Sequence, residues 1–183
     1  MSAMTSQNMI AMDPNREKLI RDSFRRQGLM LHLGAEMTAL RAGECEIRVP
    51  FRPELTQQHG YFHAGVTAAI ADSASGYAAF SVMPADGGES SVLTVEYKIN
   101  LVAPAAGEWL IARGRVVRAG KTLKICSAEV FAVKDGKEIL CATSLSTIMS
   151  LYGRSDLPAA TTQIPPATET PRSRVPERRQ NRK

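Results

Sequence analysis

The segment from His63 to about Val82 constrains this chain more than any other. Small and apolar residues lie on every side of a helical wheel drawn through it, from Ala64-Gly65-Val66 at its start to Ala78-Ala79-Phe80 near its end. A helix that is apolar all round is buried all round. Its many Ala and Gly residues let neighbouring backbone approach closely. The segment stops at Pro84 and the Gly-rich Ala85-Asp86-Gly87-Gly88. The rest of the fold must therefore wrap around one long helix.

The remaining sequence supplies the wrapping. Asp13-Pro14-Asn15 is a helix start. A short amphipathic helix with Leu19, Ile20 and Phe24 on one side follows and stops at Gly28. Strand-like text begins near Leu31. Over Glu44–Val49, apolar residues alternate with charges until Pro50 and Pro53 end the run. Beyond the long helix, Val95, Tyr97, Ile99 and Leu101 alternate with Glu96, Lys98 and Asn100. Trp109–Val117 is the next strand-like run. Ala119-Gly120-Lys121 turns into Thr122–Val133, and Asp135-Gly136 starts a hairpin into Lys137–Leu151. Runs of strands around a single long helix predict an α+β fold, an antiparallel β-sheet wrapped around a long central helix. One such sheet covers only part of the helix and leaves open edges, so dimerisation is expected.

The length of 183 residues fits one domain, expected at 14–153, with a flexible N-terminus over 1–13. After Gly153 the text is rich in Pro, Thr and Arg, and 154–183 is expected to be a disordered basic tail. That tail holds seven Arg or Lys and three Asp or Glu, so it accounts for +4 of the net charge of +5. The body is nearly neutral and the tail has no aromatic residues, which argues against nucleic-acid binding. No apolar run is long enough for a membrane span, and residues 1–13 lack the basic and apolar regions of a secretion signal. Cys45, Cys126 and Cys141 are odd in number, lack a CxxC pair and lie in apolar stretches, so buried reduced thiols in a cytoplasmic protein are expected.

Asp72 is the one firmly charged residue of the apolar helix. An unpaired buried carboxylate is costly and its pKa rises. It is either a carboxylate satisfied by nearby donors or a general base or nucleophile held near neutrality. His63 opens the helix, as an N-cap, as a surface histidine or as a functional imidazole. The two residues are nine apart, so they lie about 13.5 Å apart along the axis and on nearly opposite faces. If both serve one site, Asp72 comes from one subunit and His63 from another. The helix N-terminus offers free N–H groups and the positive end of its dipole, suited to a developing oxyanion.

The run Gln57-Gln58-His59-Gly60-Tyr61-Phe62-His63-Ala64-Gly65-Val66, followed by Ala71-Asp72, resembles the signature of the phenylacetate-degradation (PaaI-like) family of hotdog-fold thioesterases. In that pattern an amide residue precedes a His by six positions and an Asp follows nine later. The resemblance covers roughly 30–150. It implies hydrolysis of acyl- or aryl-coenzyme A thioesters by a homodimer or homotetramer (a dimer of dimers). By the same resemblance, Asp72 activates water or attacks the thioester, Gln57 orients the water or the carboxylate, and His63 supports the thioester end. The Ala64 N–H serves the oxyanion, with Gly65 beside the substrate. Thr94 matches a hydroxyl near the partner carboxylate, and Gly120-Lys121-Thr122 matches a stretch that contacts coenzyme A. Gln57 stands where Asn is frequent, and Ala64 replaces the first Gly of the usual pattern. No cofactor is implied, since coenzyme A is part of the substrate. No metal-ligand spacing exists among three His and three Cys, and there is no P-loop, GxGxxG or GxSxG. A non-catalytic module that binds acyl-coenzyme A is the alternative, against which the placement of Asp72 argues.

Overall fold

The computed structural model describes residues 12–84 and 89–157. Most of the flexible N-terminus and basic tail expected from the sequence, and the Gly-rich stretch 85–88, lie outside them. Helix α1 (Pro14–Arg25) starts as the sequence reading has it, with the Asp13 carboxylate accepting from the Asn15 N–H. Met12 packs against the core.

The first difference comes next. The strand-like text at Leu31 belongs to a short helix, α2 (Gly28–Leu33), which ends on the left-handed Gly34. Gly-Leu-Met-Leu-His-Leu contains no β-branched residue, and Met30 and Leu33, three apart, bury together. Strand β1 (Glu36–Arg41) and strand β2 (Glu44–Pro50) form the first hairpin. A single 3-10 turn at Pro53–Leu55 then leads to the long helix α3 (Ala64–Ser81). Strands β3 (Ser90–Leu101), β4 (Trp109–Ala119), β5 (Leu123–Lys134) and β6 (Lys137–Tyr152) complete the fold. The Asp135-Gly136 hairpin has positive φ at both central residues, as a type I′ turn requires.

All pairings are antiparallel, in the order β1-β2-β4-β5-β6-β3. β3 precedes β4 in the chain, yet it pairs with β6 and forms the far edge of the sheet. The sheet curls round α3, which rests chiefly on β4, β2 and β5. Gly114 of β4 is what lets the helix come so close. A Cβ there would lie 2.4 Å from the Ala74 carbonyl carbon and oxygen. Backbone cannot yield cheaply, so Gly114→Ala is expected to destabilise the fold by about 3 kcal/mol or more in a denaturant titration.

The sequence predicts α3 buried on every side; within one chain it is not. Ile70, Ala71, Ala74, Ala78 and Phe80 are sealed against the sheet. A stripe at helical spacing, running through Gly65, Ala68, Ala69, Asp72, Ser73 and Gly76, stays exposed or half-buried. The sheet is too narrow to close over it. The three cysteines are free and buried, and burial pushes the Cys45 thiol up to about 12 and the other two to about 11. Among the described residues, no helix is long and apolar enough to cross a membrane.

Candidate active site

The uncovered stripe of α3 carries Asp72. The Thr94 hydroxyl on β3 donates to its Oδ1 at 2.7 Å. The sequence reading placed Thr94 near a partner's carboxylate; here it holds the carboxylate of its own chain. Burial raises the Asp72 pKa above the ordinary carboxylate value, while the Thr94 hydrogen bond pulls it back down. No cation is ion-paired with Asp72 among the described residues. A carboxylate in this setting can accept a proton from water more readily than an exposed one.

The second group of residues sits at the start of α3. His63 is the N-cap, with Nδ1 accepting from the Gly65 N–H at 2.9 Å. This fixes the ring and leaves Nε2 pointing away from the cap. A Cβ on Gly65 would lie 3.1 Å from that Nδ1, so the small residue there serves the cap. Val66 and Thr67 donate to the His63 carbonyl. Among the first-turn N–H groups of the described residues, that of the exposed Ala64 is left for an acceptor from outside. Gln57 lies beside it in a turn closed by Gly60 (φ +80°), and its Oε1 accepts from the His59 N–H. Gln57, Ala64, Thr67 and Leu101 line one cavity of about 170 Å³.

Asp72 opens into a different cavity, of about 340 Å³, walled by α1, α3, the start of β3 and the segment around Asp156. Thus one chain presents the two groups in separate cavities, with Asp72 nine positions along the chain from His63. The Gly120-Lys121-Thr122 turn belongs to neither. The Tyr152 hydroxyl donates to the Lys121 carbonyl, and the Ser150 N–H donates to that of Thr122. Tyr152 is paired with Ser90 at the start of β3, whereas the start of α3 docks through Phe62 on Ala105, just past the end of β3. A twelve-residue strand spans roughly 40 Å, so the turn and His63 lie near opposite ends of the molecule. Gly120 itself is required there, since a Cβ would meet the Leu123 carbonyl oxygen at 2.5 Å.

The sequence reading missed the walls of the Asp72 cavity. Gly76 and Tyr77 follow Asp72 by one helical turn, which was a readable signal. Arg26, Gln27 and Asp156 come from distant segments, and only the tertiary fold brings them there.

Comparison with known proteins identifies the family and the fold. A family model described as the thioesterase superfamily matches residues 59–139, a span that contains His63, Asp72 and the Gly120 turn. A Halobacterium salinarum protein with a provisional esterase name is 32% identical over 111 residues, covering 59% of this chain and 72% of its own length. The crystal structure of a thioesterase family protein from Silicibacter pomeroyi superposes with a TM-score of 0.72 at 45% identity, covering 75% of this chain and 99% of that one. The PaaI protein of the E. coli phenylacetic acid degradation operon shares the fold, with a TM-score of 0.68 over 79% of this chain and 99% of its own, at 17% identity. These likenesses bear out the resemblance and the hotdog fold read from the sequence. The chain belongs to the thioesterase superfamily and is a hydrolase of that superfamily.

Proposed function

We propose that the protein hydrolyses acyl- or aryl-coenzyme A thioesters, with Asp72 as the general base or nucleophile and the Ala64 N–H as the oxyanion donor. The observation that carries this reading is the Asp72 carboxylate. It lies half-buried on the uncovered stripe of α3, held by Thr94, with its pKa raised by desolvation, at the mouth of a substrate-sized cavity.

In the general-base route, Asp72 takes a proton from water as the water oxygen attacks the thioester carbonyl carbon. The carbonyl oxygen gains negative charge and accepts from the Ala64 N–H, supported by the positive end of the α3 dipole. Collapse of the tetrahedral species breaks the C–S bond. The thiolate of coenzyme A departs and the free acid remains. His63 and Gln57 flank the oxyanion end and position the carbonyl and the water. Gly65 borders the thioester, and Gly120, Lys121 and Thr122 are assigned to coenzyme A. The chemistry requires neither a metal nor a bound cofactor.

The two half-sites are too far apart on one helix to act together, so the reading includes a dimer in which each chain supplies one half. Two features support it. The α3 stripe is uncovered, and β3 is an edge strand, paired with β6 on one side only among the described residues and bearing exposed Val95, Tyr97 and Leu101. Pairing two β3 edges antiparallel would set the middle of one strand beside that of the other. A homotetramer and a cytoplasmic location remain part of the proposal.

The test is a panel of acetyl-, medium-chain, long-chain and benzoyl-coenzyme A with detection of free thiol. Turnover of at least one at kcat/KM above about 10⁴ M⁻¹s⁻¹ supports the reading; no turnover of any sinks it. Thr94→Val adds a sharper check. Removing the hydrogen bond that favours the ionised carboxylate raises the Asp72 pKa further. The active form is ionised, so the acid limb of the kcat/KM profile should move to higher pH, with a loss on the order of 10-fold at its acid end and a smaller loss at pH 8.

A further inference from the structure

The segment after the last strand returns to the Asp72 cavity. Strand β6 ends at Tyr152, and Gly153 turns the chain with φ +66°, a left-handed conformation that suits glycine. Asp156 and Leu157 then line the cavity together with Asp72, Gly76 and Arg26. One ion pair holds the segment there. Asp156 accepts from the Arg26 guanidinium at 2.5 Å, and among the described residues no other hydrogen bond ties 154–157 to the rest of the fold. Arg26 is the anchored side of the pair. It caps the end of α1, and its neighbour Gln27 accepts from Ser73 Oγ at 3.3 Å. Ser73 adjoins Asp72 on α3, so the pair stands level with the carboxylate. Asp156 is the side that can move. A Cβ at Gly153 would meet nothing within 4 Å, and Arg154, Ser155 and Leu157 are exposed. The paired side chains keep 37% and 28% of their surface in water, where solvent and salt weaken their attraction.

We propose that residues 153–157 form a strap across the mouth of the Asp72 cavity, latched by Arg26–Asp156 and hinged at Gly153, and that the latched strap keeps substrate out. Latching and entry compete for one space, since Asp156 and Leu157 are themselves cavity walls. The observed affinity is then the intrinsic one reduced by the fraction of molecules whose strap is open. Loosening the latch lowers KM and leaves kcat alone, because the latch residues act on access and not on the reacting atoms.

This inference rests on the proposed thioester hydrolysis only for KM, so access to the cavity is also read without turnover. The full chain carrying Gly76→Cys is treated with an uncharged maleimide. Gly76 lines the cavity and has open space for a side chain. Cys45, Cys126 and Cys141 are buried with raised pKa values, so they label slowly. Adding Asp156→Asn should speed labelling about 2- to 5-fold, the range that a partly exposed ion pair supplies. Salt should speed labelling of the parent Gly76→Cys chain and leave that of the Asp156→Asn chain unchanged. Arg26→Glu alone and Asp156→Arg alone should each label fast. Together they rebuild the pair with its charges exchanged, and the rate should return to that of the parent, a rescue that a purely structural role of Arg26 would not give. With Gly76 intact, Asp156→Asn should lower KM about 2- to 5-fold at unchanged kcat. Melting curves verify that each variant folds.

Faster labelling, rescued by the exchanged pair but without turnover in any chain, upholds the strap and rejects the hydrolase reading. Turnover with labelling unchanged in every variant overturns the strap and leaves the hydrolase reading standing. A rise in KM on loosening the latch overturns it too, since the strap would then close over bound substrate and not against it. If Arg26→Glu does not fold, the salt response of the parent against that of the Asp156→Asn chain decides alone.

Discussion

Asp72→Asn is expected to lower kcat/KM by about 10²- to 10⁴-fold while leaving the fold intact, the range that a positioned proton-transfer group supplies. The exchange is nearly isosteric. The Asn carbonyl oxygen can still accept from Thr94, so the 2.7 Å link between α3 and β3 survives. What disappears is the ability to take a proton from water or to attack the thioester. Stability should move the other way. Burial raises the folded-state pKa of Asp72, so the native protein binds this proton more tightly than the unfolded chain does. Stability of the wild type therefore falls as pH rises from the ordinary carboxylate value through the raised one. Below that window both carboxyls are protonated and the penalty vanishes. The variant lacks the penalty at every pH. At pH 7 it should melt at or above the wild-type temperature, and the difference should close in acid. Wild-type turnover by folded Asp72→Asn would remove this residue from the mechanism.

The fold was legible because its signals are local and repeated. The apolar run of α3, the alternation in β2 and β3 and the Asp135-Gly136 turn each name their element without help from the rest of the chain. The miss at α2 has the opposite cause. Six residues without a clear period carry too little signal, and burial of Met30 and Leu33 by the tertiary fold decides their state. Asp72 was readable as a charge in an apolar helix, and His63 as the residue opening it. The hydrogen-bond partner of Asp72 was read from a family pattern, which set Thr94 near the partner carboxylate and not near that of its own chain. The hydrogen bond from the Thr94 hydroxyl to Asp72 Oδ1 shows that Thr94 faces the helix of its own chain. Arg26 and Asp156 were illegible for a simpler reason. Neither residue has a local feature that points to the other, and their ion pair exists only once the segments that hold residues 26 and 156 meet.

The helix geometry leads to the most demanding expectation. Asp72 and the Ala64 N–H open into separate cavities of one chain, so the proposed site needs two chains. Asp72→Asn disables one half-site. Ala64→Phe disables the other by crowding the oxyanion position, which is exposed, so the fold should tolerate the ring. Each homodimer carries the same lesion in both of its sites, and each should retain less than about 1% of wild-type activity. Subunit exchange between equal amounts gives heterodimers as half of all dimers, if pairing is random. In each heterodimer one site collects both lesions and the other has neither. Activity of the mixture should then rise to about a quarter of the wild-type value. Each variant taken alone through the same exchange protocol supplies the baseline. Native mass spectrometry establishes that heterodimers have formed. If verified heterodimers are as inactive as their parents, Asp72 and Ala64 act within one chain, and the two-chain site is wrong.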